Sequence, residues 1–428
     1  MLHAPATRLI EHRRRKIGGR ASGGREIGSA SFWRLSVPKS PSGQSGLSTA
    51  APFGPNGNSL VAGKPKKGSV GATGQGAGEK SSDMIPVSAV PRRGLGRTGL
   101  QISTLGFGTA PLGDLYAQLD DGTAIAAVER AFELGINLLD TSPHYGRGLS
   151  EHRCGTAIRR VRRQDIVICT KVGRWMDPSH RPGNGSGFVG GQPHRAVVDY
   201  SYDGTMRSVE QSLLRLGTDR LDLLLIHDVD VWTHGADAIE HRFREAMAGA
   251  YVALDRLRAE GVVAGIGIGV NEAEMCVRFA QAGSFDTMLL AGRYSLLEQP
   301  ALAQFLPLAQ QQGIGVLLGG VFNSGILATG AVQGAKYNYR DAPPQILAKV
   351  TQIERVCDAH GVALPTAALH FALGHPAVAS VVLGAQNPQE VERNVAALSS
   401  QVPTALWDEL KAQHLLDADA PVPSPVPG

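Results

Sequence analysis

The chain has 428 residues with 42 Lys+Arg against 38 Asp+Glu, a formal net charge of +4, and a length that excludes a lone small module. Residues 1–83 hold 13 Lys+Arg and 4 Asp+Glu, so the charge divides into +9 over that segment and −5 over 84–428. The basic excess therefore gives no ground for nucleic-acid binding, and no run approaches the ~18 apolar residues of a membrane-crossing helix.

The first segment also carries 15 Gly, 12 Ser and 6 Pro, too few apolar side chains to offset the entropy of ordering, and 1–83 is expected to be a disordered tail. Its opening, MLHAPATRLIEHRRRKIGGR, lacks the apolar stretch of a secretory signal. The Arg-rich, acid-poor character resembles an organelle transit peptide, whereas Met84, where globular composition begins, fits a start codon placed too far upstream. Cys154, Cys169, Cys276 and Cys357 are scattered without ligand spacing, so neither a disulfide framework nor a metal site is expected. A reducing, cytoplasmic location fits this usage. At the other end APVPSPVPG is too Pro-rich to pack. One domain is expected over 84–414 and a Pro-rich tail over 415–428.

In chain order, the string GLGRTG at 94–99 matches a dinucleotide fingerprint, but Pro91 and two arginines precede it and LQISTLGFG follows. The fingerprint needs a strand before it and a helix after it, so this string predicts a Gly-turned β-hairpin. Eight nearly continuous apolar windows then follow, at 102–110, 137–142, 165–173, 221–228, 263–270, 287–294, 315–322 and 378–385. Such runs suit strands covered on both faces of a parallel sheet. Amphipathic segments lie between them: Met206, Val209, Leu213 and Leu216 recur at helical spacing before the fourth window. Eight β-then-α units predict an α/β fold, a (β/α)8 TIM barrel with an N-terminal β-hairpin.

Reactive groups of such barrels sit at the C-terminal ends of strands. The second window ends in NLLDTSPHYG, giving Asp140 and Tyr145; the third ends in ICTKVG, giving Lys171; the fourth ends in LLLIHD, giving His227. Taken singly, each has a structural explanation, as a turn cap, a packing ring or a hydrogen-bonded core residue. Four at consecutive strand ends converge on one rim. A phenol near pKa 10 exchanges protons poorly at neutral pH, and a nearby ammonium is expected to lower that value. Tyr145 is thus assigned as acid–base group, Lys171 as its tuner, Asp140 as the partner of Lys171, and His227 as the group that positions a substrate oxygen. A Schiff-base role for Lys171 would leave Tyr145 unexplained.

At these residues the sequence resembles the aldo-keto reductase superfamily. The resemblance spans about 91–400 and rests on GLGRTGL, GFGTAPLG, LLDTSPHYG, ICTKVG, SVEQSLLRLGTDRLDLLLIHD, GVLLGGVFNSGIL and VVLGAQNPQEVERN. IHDVDVWTHG, LLAGRYSLLEQ and GGVFNSGILATG look most like the aldose 1-dehydrogenase branch, which includes L-fucose, D-threo-aldose and pyridoxal 4-dehydrogenases. The resemblance implies hydride transfer with a nicotinamide cofactor across the barrel mouth. It places Asn271 at the carboxamide, Ser324 and Gly325 at the pyrophosphate, and Gly384, Ala385, Gln386, Glu390 and Asn394 at the adenosine. Two positions depart from the family: Ala291 stands where many members have Gln, and Val270 where many have Ser.

Glu390 occupies a place where NADP-preferring relatives often carry Arg, and Gly384 one where some carry Lys, so NAD is expected over NADP. The rim residues Trp175, Asp228 and Trp232 mix aromatic faces with a carboxylate, as a pyranose requires. The expected partner is therefore a small molecule, an aldose or aldehyde. The expected reaction is oxidation at C1 of an aldose such as L-fucose or another D-threo-aldose to its lactone. The alternatives are pyridoxal 4-dehydrogenase and a general aldehyde/ketone reductase of the same family.

Overall fold

The computed structural model describes residues 90–115, 117–179 and 187–423. The expectations for residues 1–83 lie outside the described residues. A hairpin of β1 (Arg92–Gly94) and β2 (Gln101–Ser103) opens the fold, followed by β3 (Leu105–Gly108), β4 (Leu138–Asp140) and β5 (Val167–Val172). A second hairpin, β6 (Arg174–Asp177) with β7 (Arg195–Val198), precedes β8 (Leu223–His227), β9 (Gly265–Val270), β10 (Thr287–Ala291) and β11 (Gly315–Gly319). A short third hairpin, β12 (Lys336–Tyr337) with β13 (Arg340–Asp341), comes before β14 (Val378–Gly384).

Strands β3, β4, β5, β8, β9, β10, β11 and β14 pair in that order, all parallel, and β14 closes on β3. This is the expected (β/α)8 barrel. Closure leaves no sheet edge, and the strands are buried along almost their whole length because helices cover them outside and side chains fill them inside. The inner core joins Leu138, Val167, Cys169, Leu223, Leu225, Leu289 and Leu317; a larger core lies between strands and helices. The helix Tyr202–Leu216 buries Met206, Val209 and Leu216, the stripe expected from their spacing. All four cysteines are buried and unpaired. Among the described residues no helix is long and apolar enough to cross a membrane.

Two expectations are corrected. The first window, 102–110, is two strands: Ile102 and Ser103 belong to β2 of the hairpin, and the barrel strand begins only at Leu105. The reason is a change of partner. The Thr104 N–H donates to Pro91 O while Ser103 Oγ donates to Leu105 O, so the chain leaves the hairpin and enters the barrel within two residues. Leu95 and Ile102 are fully buried against the inner core, which makes the hairpin a plug in the barrel floor. Gly96 lies there at φ +48°, and a Cβ on it would meet Asp286 O at 2.5 Å.

The second correction concerns the C-terminal end. Leu415, Leu416 and Ala420 are buried, and Pro423 packs on Gly374. The described part of 415–428 therefore belongs to the domain: its apolar residues continue the contact made by Trp407 and Leu410 of the helix Thr404–Ala412.

Candidate active site

The C-terminal ends of β4, β5 and β8 bring Asp140, Lys171 and His227 together, and the turn after β4 adds Tyr145. Tyr145 opens a tight turn that goes on through Gly146 at φ +60° and Arg147 at φ +55°. A Cβ on Gly146 would lie 2.5 Å from Gly113 O, so only glycine lets this turn seat against the loop after β3. The Arg147 guanidinium donates to Gln192 O and Gly190 O, both at 2.7 Å, and ties the turn to the loop before β7.

Lys171 is 1% exposed. Its Nζ donates to Asp140 Oδ1 and Oδ2 at 2.8 and 2.9 Å and to Thr141 O at 2.9 Å, and lies 4.9 Å from the centre of the Tyr145 ring. Burial alone would lower the pKa of this amine; the Asp140 carboxylate, with Tyr145 and Cys169 adding to it, offsets that and raises it, so the lysine is a fixed cation. For Tyr145 the balance runs against the sequence expectation. Burial raises the phenol, and the Lys171 charge pulls it down by less, so the net shift is upward. Desolvation in a closed mouth outweighs the neighbouring ammonium.

His227 is held well below its ordinary range by burial, with Lys171, Arg174 and His144 adding repulsion, and is neutral. Its Nδ1 meets Ser142 Oγ at 3.1 Å, and that oxygen also accepts from the His144 N–H at 3.1 Å. Asp228 Oδ1, which can only accept, lies 3.3 Å from Nε2, so the single hydrogen of the neutral ring is placed on Nε2 and Ser142 Oγ donates to Nδ1. Tyr200 Oη donates to His227 O at 2.8 Å and holds this end of β8 in place.

Tyr145, Lys171 and His227 line a cavity of ≈ 570 Å³ together with Asp228, Trp232 and Asn271, while Asp140 reaches it only through its pairing with Lys171. Trp175 is not brought to it. Its Nε1–H donates to Asp199 Oδ2 at 3.1 Å, and the Arg207 guanidinium covers the ring at 4.4 Å. Alternate side chains of β6 face opposite ways, so Arg174 takes the wall position instead, nearly buried and paired to Asp228 at 2.9 Å. Asp228 itself sits at φ +53° with Oδ1 3.3 Å from His227 Nε2.

The wall includes Arg174, which the sequence places on the rim beside Trp175, and His144, Phe188 and Tyr339, which sequence reasoning missed. Arg174 stands three residues beyond Lys171, past the turn at Gly173, which has φ +99°. His144 adjoins Tyr145, and burial lowers its imidazole to about 4. Phe188 and Tyr339 come from long connections whose sequences carry no periodic signal.

The residues assigned to a dinucleotide lie in sequence along one side of the mouth. Asn271 follows β9 and lines both the large cavity and a smaller one reaching Ser324. Asn323, Ser324 and Gly325 have φ of 46, 61 and 101°; the Asn323 and Gly325 N–H groups donate within the turn, to Gly320 O and Phe322 O, both at 2.9 Å, and a Cβ on Gly325 would meet nothing within 4 Å. The open space over Gly325, beside the smaller cavity that Ser324 lines, leaves room for a pyrophosphate. Gly384 and Ala385 end β14, and Asn394 is half-buried on the helix Pro388–Ser399.

Glu390 is engaged at the start of that helix. Asn387 Oδ1 accepts from the Glu390 N–H at 3.0 Å, while Glu390 accepts from the Gln386 N–H at 2.8 Å and from Asn387 Nδ2 at 3.0 Å. This is a reciprocal cap of the capping-box kind, so Glu390 brings both charge and a structural role to the segment.

A closed parallel barrel whose mouth joins a buried Lys–Asp pair, a phenol and a neutral imidazole beside two cavities that share Asn271 fits an oxidoreductase. Residues 104–413 match the Aldo/keto reductase family, and the chain belongs to it. It is 41% identical over 341 residues to the pyridoxal 4-dehydrogenase of Microbacterium luteolum, covering 77% of this chain and 99% of that one. It is 36% identical over 324 residues to a D-threo-aldose 1-dehydrogenase of a Pseudomonas species, covering 74% and 96%. Among solved structures, a holo aldo-keto reductase from Bacillus halodurans superposes with a TM-score of 0.59 at 28% identity, covering 77% of this chain and 98% of that one. The enzyme therefore uses a nicotinamide cofactor.

Proposed function

We propose that this enzyme oxidises the hemiacetal carbon of a cyclic aldose, such as L-fucose or another D-threo-aldose, to a lactone with NAD. The carrying observation is the cavity wall beside His227. There the Asp228–Arg174 pair offers an acceptor and a donor next to the rings of Trp232, Phe188 and Tyr339. A pyranose satisfies both kinds of wall, whereas a plain aliphatic aldehyde would leave the polar pair unused.

The His227 Nε2–H donates to the C1 oxygen and orients it. Tyr145, once deprotonated, takes the C1 hydroxyl proton while the C–H electron pair leaves as hydride. Lys171 stabilises the phenolate, and Asp140 keeps Lys171 in place and charged. The nicotinamide, when bound, accepts the hydride. Asn271 would hold its carboxamide, Ser324 and Gly325 would take the pyrophosphate, and Gly384, Ala385, Gln386, Glu390 and Asn394 would surround the adenosine. The preference for NAD rests on Glu390, whose carboxylate repels a 2′-phosphate. A cytoplasmic location is part of the same reading.

The second reading, pyridoxal 4-dehydrogenase, is favoured by the 41% identity to such an enzyme. Its chemistry is shared, because the 5-hydroxymethyl group of pyridoxal closes on the 4-aldehyde to a cyclic hemiacetal that also oxidises to a lactone. A spectrophotometric panel separates the two: L-fucose, D-arabinose, L-galactose and pyridoxal, each with NAD and with NADP, followed at 340 nm. Turnover of an aldose with NAD is the expected result. Brisk oxidation of pyridoxal alone would replace the sugar by the vitamin.

A further inference from the structure

Asp230 has no exposed surface. It lies three residues beyond His227, just before the short helix Val231–His234. Its Oδ2 accepts from the Asn271 backbone N–H at 2.8 Å and from Asn271 Nδ2 at 3.0 Å, and its Oδ1 accepts from the Thr233 N–H at 2.9 Å. An ionised carboxylate is tolerated in such a place only when its lone pairs are met by donors, and two of these three donors belong to Asn271. A carboxylate can only accept, so the Asn271 amide must turn its nitrogen toward Asp230. One amide hydrogen is thereby committed, and Oδ1 and the second N–H remain for a ligand.

Asn271 lines both the catalytic cavity and the smaller one that reaches Ser324, so a dinucleotide laid between them passes over it. Its neighbours in that wall, Val270 and Ala291, have no polar side-chain atom. Asn271 is thus the polar side chain between Val270 and Ala291 in this wall, and another residue determines its facing.

We propose that Asp230 is a positioning residue for the nicotinamide: acting through Asn271, it fixes which way the carboxamide lies and therefore which face of the ring meets the substrate. The proposal rests on the reading of Asn271 given above. Through the Thr233 N–H the same carboxylate also anchors the wall that carries Trp232, so ring and substrate wall share one anchor.

The test needs no substrate. Wild type, Asp230→Asn, Asn271→Ala and Glu272→Gln are titrated with NAD by calorimetry. Transferred nuclear Overhauser effects from the nicotinamide H2 and H6 to the ribose protons then report the ring orientation in the bound state. Glu272 is the control, because it accepts from the Val231 and Trp232 N–H groups of the same segment, both at 2.9 Å. The expected result is one ring orientation in wild type and Glu272→Gln. Asp230→Asn should show both orientations, with NAD binding weakened by about tenfold, the scale of one lost hydrogen bond. A single orientation and wild-type affinity in Asp230→Asn, with Asn271→Ala altered, would overturn the role of Asp230 alone. If Asn271→Ala were unaltered too, the assignment of Asn271 would fall with it. Should Asp230→Asn not fold, Asp230→Glu keeps the charge, displaces it by one methylene and carries the same readouts.

Discussion

Two opposed effects act on one phenol. Burial raises Tyr145, Lys171 lowers it, and burial prevails. Tyr145 therefore stands protonated at neutral pH, ready to donate to a carbonyl oxygen, whereas oxidation first requires that its proton leave. The fraction of phenolate grows about tenfold per pH unit below the pKa. Accordingly kcat/KM for aldose oxidation should climb with pH to at least about pH 9, while the reverse reduction stays flat or falls. A pH–rate profile in both directions checks this, and an oxidation plateau already reached at pH 7 would contradict the sign. The residue-level surprise is Trp175: the aromatic ring was the conspicuous residue in the sequence, yet the β alternation gives the wall to Arg174.

The capping turn before the helix Pro388–Ser399 couples cofactor choice to stability. Glu390→Gln removes the charge and keeps one oxygen to accept from the Gln386 N–H, losing the bond from Asn387 Nδ2. The ratio of catalytic efficiencies should move toward NADP with a smaller fall in melting temperature than the loss of the whole cap brings. Glu390→Arg should move the ratio further and cost about 1 kcal/mol through the lost cap. An unmoved ratio in both would take Glu390 out of cofactor selection.

The hairpin of β12 and β13 shows the opposite trade. Its tip residues Asn338 and Tyr339 sit at φ +49° and +62°, where a two-residue turn ordinarily carries Gly second. Tyr339→Gly should stabilise the fold by up to about 1 kcal/mol yet raise KM, because the ring lines the cavity. Thermal melts and Michaelis curves on the one variant read both effects.

Across the whole molecule, buried neutral histidines link stability to pH. Burial holds His375 at about 4, burial with Arg174 holds His144 at about 4, and His227 lies well below 6.5. In the unfolded chain all three take up protons below about 6.5. Between about 6.5 and 4 the unfolded state thus binds more protons, and stability falls as pH drops through that window, by up to about 1.4 kcal/mol per pH unit for each group. Melting temperatures should decline from pH 7 to 5. His375→Asn, which keeps an acceptor for the Ala377 N–H, should make that decline shallower.

The barrel was legible because strands covered on both faces are written as unbroken apolar runs, and the candidate groups of the mouth because Asp140, Lys171 and His227 stand at the ends of such runs and Tyr145 in the turn after one. What escaped lies where no period operates. The chain changes partner at Thr104, Phe188 and Tyr339 arrive on long connections, and the balance between burial and charge on Tyr145 depends on how tightly the mouth closes.

The central claim is that Tyr145 exchanges the proton that accompanies hydride transfer at this mouth. Tyr145→Phe keeps the ring and removes the hydroxyl, so the direct measurement is its NAD affinity beside its turnover of the best substrate at 340 nm. Affinity should stay within about twofold of wild type while kcat falls by at least the ~10²–10⁴-fold that general acid–base catalysis supplies. Turnover near the wild-type rate, with cofactor bound normally, would contradict the assignment.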